Sequence, residues 1–223
     1  MPERKLPPHF LGRTAHPTHG PTEPALNVGY DSIYLGLVPR LAECDFAESA
    51  QRLGLEYREG RVWVHFLARD YMITRDGVEP LDGQPANVNI RSVLLYYLLS
   101  KGAGSPDHAY VLFENFPRLV GGLGTPIGLM NTPLERKFGG DYAAFSEAAL
   151  RLEGMAEDAQ PGSHAWRFEI LPKIAARVVF READDEFPAA IQIMLDQAAL
   201  RFLDFECLAV MVGCFVSALI HAV

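Results

Sequence analysis

Apolar and polar side chains alternate strictly along Trp166-Arg167-Phe168-Glu169-Ile170. A period of two is the signature of a strand with one buried face. The stretch from Ile174 to Phe180 is rich in β-branched and aromatic residues, and Ala190-Ile191-Gln192-Ile193-Met194-Leu195 reads as a further strand. Asp184-Asp185-Glu186 lies between those two, so they are expected to pair as a hairpin. Upstream, Val62-Trp63-Val64-His65-Phe66-Leu67 and Tyr71-Met72-Ile73-Thr74 predict a second hairpin, and Tyr110-Val111-Leu112-Phe113 a short strand.

The helices carry a different pattern. Ser92 to Ser100 is apolar on nearly every face, as expected of a buried helix. Asp45 and Asp141 are placed as N-caps, with Gly54 and Gly154 as the corresponding stops. A helix is also expected from Thr132 to Phe138, and a last one from about Asp204 to the end. Pro39 interrupts the apolar run that begins at Ile33. Strands cluster as hairpins and helices do not alternate with them. The expected fold class is therefore α+β, an antiparallel sheet of hairpins with helices packed on it and the C-terminal apolar helix buried. Residues 1–28 hold six prolines and read as an extended arm, leaving 29–223 as one domain.

Composition narrows the function classes. The formal net charge is −8, and no basic stripe offers to displace counterions from phosphate, which disfavours nucleic acid. Leu208 to Ile220 is uncharged, but as a helix it spans about 20 Å, short of the roughly 30 Å bilayer core, so no membrane span is expected. Three cysteines make no disulfide framework, and the proline-rich start is no signal peptide. The expected location is the cytoplasm.

The candidate chemistry is thin. Gly121-Gly122-Leu123-Gly124-Thr125-Pro126-Ile127-Gly128 lacks both P-loop and Rossmann spacing, and reads as a structural or ligand-facing loop. Asp185 and Glu186 offer oxygens to a hard cation, or form a solvated turn. His65 shares a strand face with Trp63 and Leu67. It is read as a core histidine or as a pocket residue serving as axial ligand or acid/base. Cys207 and Cys214 are seven apart, about 10 Å along a helix, too far to share one zinc ion.

Leu171-Pro172-Lys173, Asp185-Glu186-Phe187-Pro188, Met194-Leu195-Asp196 and the apolar helix with Glu206 stand in an order that resembles the uncharacterised family numbered 3786 among the domains of unknown function. Arg69-Asp70-Tyr71, Asp82-Gly83, Tyr97-Leu98-Leu99 and Phe138-Gly139 extend the likeness over about residues 29–220. The chain departs from the pattern at Phe116-Pro117-Arg118-Leu119-Val120-Gly121-Gly122, where the arginine is displaced and a proline is lost. Members fused to a cysteine-rich iron–sulfur domain related to corrinoid proteins imply an anaerobic redox setting, with a tetrapyrrole or corrinoid as ligand. On this reading His65, Tyr71, Arg118, Gly121, Gly122, Gly124 and Trp166 bind a flat apolar ligand or the surface of a redox protein. A face carrying Trp63, His65, Tyr71 and Trp166 would form the platform. The alternative is a metal-assisted enzyme using His65 or His164 with Asp185, Glu186 or Asp196. A third reading is a homo-oligomer joined through the N-terminal arm.

Overall fold

A computed structural model describes residues 28–116 and 128–223. The N-terminal arm, Arg118 and the loop glycines Gly121, Gly122 and Gly124 lie outside the described residues. The chain forms α1 (Val28–Leu37), α2 (Phe46–Leu53), β1 (Glu56–Arg58), β2 (Arg61–Phe66), β3 (Arg69–Thr74), β4 (Gly77–Pro80) and α3 (Val88–Leu99). It continues with β5 (Tyr110–Leu112), α4 (Gly128–Phe138), α5 (Tyr142–Arg151), β6 (Met155–Glu157), β7 (Ser163–Leu171), β8 (Ile174–Arg181), β9 (Ala190–Asp196) and α6 (Phe205–His221). The class is α+β, as the clustering of hairpins predicts.

The strands form two antiparallel sheets rather than one. The first is a four-stranded meander in the order β1-β2-β3-β4, and the second has the order β5-β9-β8-β7-β6. In the first sheet Val62, Val64, Phe66, Tyr71, Ile73 and Val78 turn inward and are buried. In the second, Trp166, Phe168, Val178, Phe180, Ile191, Ile193 and Leu195 do the same.

Local signals start and stop the helices. Asp45 accepts from the Glu48 N–H, Asp141 from Ala144 and Asp204 from Cys207, each satisfying a first-turn donor left over at a helix start. Gly54 adopts φ 73 at the end of α2, the left-handed conformation that a glycine takes without steric cost. Pro39 falls in a 3₁₀ turn, Val38–Glu43, that directly follows α1, which is the break expected there.

α6 holds the interior together. It packs against α3, α4 and α5, and Leu208, Met211, Val212, Phe215 and Leu219 are fully buried. The Phe215 ring sits edge-on to Phe168 of β7 at 4.9 Å. One continuous apolar cluster runs through the inner faces of both sheets, and β2 lies against β7. No helix among the described residues is long and apolar enough to cross a membrane.

Candidate functional site

The seam between the sheets opens into a cleft of about 380 Å³. Four distant stretches build it. The β2–β3 turn supplies Leu67 and Ala68, the end of α5 supplies Leu152 and Glu153, and β7 supplies Phe168, Glu169 and Ile170. Phe215 of α6 also lines it. This is the size range in which proteins hold small organic ligands.

His65 stands on its wall. Nδ1 lies 2.7 Å from Asp70 Oδ1, the residue paired with it on β3, and Nε2 lies 2.8 Å from Glu153 Oε2. Carboxylates accept only, so the arrangement is complete when both ring nitrogens carry protons. Partial burial pulls the imidazole pKa down, but Asp70 and Glu153 outweigh it and the net shift is upward. The Asp70–His65–Glu153 bridge therefore favours the protonated ring, held between two acidic side chains.

A second recess of about 330 Å³ lies on the other side of His65, lined by Trp63, Asp70, Leu81 and residues 54–56. Both cavities share His65 and Pro172. Pro172 and Lys173 form the two-residue turn between Leu171 and Ile174, next to a register shift in β7 between Glu169 and Leu171. Irregular pairing of this kind re-aims a strand end. Here it brings Pro172 to the cleft wall.

The cleft is rimmed by residues in the left-handed region. Leu67 has φ 53, Ala68 φ 57 and Glu153 φ 59. Phe66 pairs with Arg69, so Leu67 and Ala68 are the two central residues of a hairpin turn whose favoured types use Asn or Gly. After Glu153, Gly154 is packed so closely that a Cβ there would stand 2.6 Å from Phe168 Cε1. Only glycine fits, and its close approach brings the Glu153 carboxylate up to His65.

The residues singled out from the sequence are not brought together. Trp63 and His65 share the outer face of β2, as expected. Tyr71 is paired with Val64 and is fully buried on the opposite face, so it does not share a platform with His65. Its hydroxyl has no partner among the described residues, and burial raises its pKa. Trp166 is also inward-facing, in the other sheet, 4 % exposed. The single platform of Trp63, His65, Tyr71 and Trp166 is thus corrected: its members point in three directions. His164 is bonded to Glu182 at 2.7 Å and stacked on Tyr142. Asp196, fully buried, accepts from the N–H groups of Asp107, His108 and Ala198.

Asp185 and Glu186 are exposed at the β8–β9 turn. Asp184 Oδ1 accepts from the backbone of Glu186 and Phe187, which lowers its pKa. That is turn chemistry. Among the described residues no group of three or more His, Cys, Asp or Glu side chains is arranged to hold a metal ion.

Glu153 is the functional residue that sequence reasoning missed. Its only signal was a charge immediately before a helix-stopping glycine. Leu67-Ala68 left a different trace, two residues without turn propensity at a hairpin tip.

Fold and cleft together define an α+β module with a cavity at the junction of two antiparallel sheets. The chain belongs to the family described as a domain of unknown function, DUF3786, whose model matches residues 45–218. The matched span includes every element that lines the cleft. Comparison with curated proteins and with solved structures finds no match.

Proposed function

We propose that this protein is a binding module that holds a small molecule with an apolar body and a polar end in the cleft beside His65. The observation that carries this reading is the convergence of Leu67, Glu153, Phe168 and Phe215, from four separate stretches of the chain, on one cavity of ligand size. The apolar walls would take the body of the molecule. The acceptor oxygens of Asp70 and Glu153 in the bridge favour a ligand whose polar end donates hydrogen bonds.

Binding is favoured over catalysis for a chemical reason. A general base needs an unprotonated nitrogen, and His65 has both nitrogens engaged by carboxylates. Among the described residues lining the cleft there is no serine, threonine, cysteine or lysine to act as nucleophile. The same engagement bears on the tetrapyrrole or corrinoid expectation. An axial ligand must offer a lone pair, which His65 does not while Asp70 and Glu153 hold it. A metal-centred macrocycle does not fit this histidine. A cytoplasmic location is supported by the free thiols of Cys44, Cys207 and Cys214.

Native mass spectrometry of the freshly purified chain tests the reading. The wild type is expected to carry a co-purified small molecule that Met155→Trp, which fills the cleft from its β6 wall, excludes while melting stays within a few degrees. Added haem or cobalamin is expected to give no absorption change that depends on His65. If nothing co-purifies, and no apolar amine or alcohol probe binds in a way sensitive to the plug, the cleft is not a ligand site.

A further inference from the structure

On the far side of α3 a smaller recess of about 130 Å³ lies between α1, α3 and the first turn of α6. It shares no lining residue with the His65 cleft. Ile33, Val93 and Val210 give it apolar walls, and the exposed carboxylates of Asp204 and Glu206 stand at its rim. It is close to the size of an engineered apolar cavity, about 150 Å³, that accepts one benzene ring.

Two polar groups in its lining are unaccounted for. Ser92 is 7 % exposed, and its Oγ has no hydrogen-bond partner among the described residues. A helical serine commonly bonds back to the carbonyl four residues earlier, and Ser92 does not. Asn89 Oδ1, one turn earlier on the same side of α3, is likewise buried and has no partner among the described residues. Buried polar groups in folded proteins are nearly always paired. Two orphans lining one cavity mark a place where a group beyond the described residues would complete the bonding.

From these groups we infer a second binding site, which takes a neutral molecule of about six heavy atoms with an apolar body and one hydroxyl. The hydroxyl follows from the partners. It both donates and accepts, so it matches the Ser92 hydroxyl and either end of the Asn89 amide. An anion is disfavoured. The Asp204 side chain already caps the helix through the Cys207 N–H at 2.8 Å, and the Leu208 N–H is engaged by the Asp204 carbonyl. Asp204 and Glu206 would repel a second negative charge. Arg40, close enough to act on Tyr96 alongside Asp204, offsets part of the acidic rim and weakens any preference for a cation.

Phenol and toluene are the probes, since they share a shape and differ in the hydroxyl. Amide chemical shifts of the full chain are followed during titration with each. Phenol is expected to move the amides of residues 89–96 and 204–210 saturably, and to bind at least about tenfold more tightly than toluene, because a site built for a hydroxyl rejects the analogue lacking it. Ser92→Ala should cut that preference several-fold, whereas His65→Gln should leave it unchanged, which separates this site from the cleft. Absence of saturable shifts at those amides, or equal affinity for the two probes in the wild type, overturns the inference and leaves a recess filled by water. The wild-type comparison decides the matter even if Ser92→Ala does not fold.

Discussion

His65 is where one side chain decides the most. Its pKa in the folded chain lies above the ordinary 6.5, because Asp70 and Glu153 outweigh the effect of burial. A raised folded-state pKa contributes stability that is fully present below the unfolded value and is lost as pH rises through the folded one. The denaturation midpoint of the wild type should therefore exceed that of His65→Gln most below the ordinary imidazole value, and the gap should shrink as pH rises past the raised folded-state value. The side chain is 45 % exposed, so solvent screening keeps the gap small. Glu153→Gln should lower the imidazole pKa seen by NMR titration; an unchanged value would show that Glu153 does not hold the ring. Ala68 is the second informative residue. It adopts φ 57 in the β2–β3 turn, where a side chain costs about 1–2 kcal/mol and glycine's extra freedom in the unfolded chain returns part of that. Ala68→Gly should stabilise the fold by about 0.5–1 kcal/mol in urea titration.

At the scale of the element, Asp196 ties three pieces together. It ends β9, and its carboxylate receives N–H groups from the loop that leads into β5 and from the 3₁₀ turn Gln197–Arg201. Asp196→Ala would strand buried donors at a cost of about 1–3 kcal/mol each. The expected loss is about 3 kcal/mol or more in equilibrium unfolding, with Asp196→Asn recovering part of it. A change below about 1 kcal/mol would show that water replaces the carboxylate. The β2–β3 hairpin shows how a fold can be legible while its faces are not. The alternation within β2 correctly put Trp63 and His65 together. Starting the next strand at Tyr71 left the loop too long, and strand parity depends on loop length. The loop is two residues, β3 begins at Arg69, and Tyr71 consequently falls opposite Val64 on the core face. The edge strands β1, β4 and β6 were not legible, because three or four residues are too few to show a period.

Across the whole molecule, the two sheets share one interior through α6 and the β2–β7 contact. The two tryptophans report on it separately, Trp63 from the first sheet and Trp166 from the second. In Trp63→Phe and Trp166→Phe, fluorescence of the remaining indole should give coincident unfolding midpoints once each variant's own stability change is subtracted. Two separated transitions would mean that the sheets fold as independent units, and the cleft between them would then be no fixed feature.

The sequence alone determined the class, the main hairpins, the capped helices and the family, since caps, turns and periodicity act over a few residues and are written locally. It also singled out His65 as a candidate. Only the tertiary structure decided what surrounds that histidine, because Glu153 reaches it across 88 positions of chain and Phe215 closes the cleft from still farther along. Such meetings depend on how helices and sheets dock, which depends on packing of the whole interior rather than on any local pattern. The Ser92 hydroxyl belongs to the same category: an apolar helix pattern places it inward, but only the docking of α1 and α6 leaves it without a partner among the described residues.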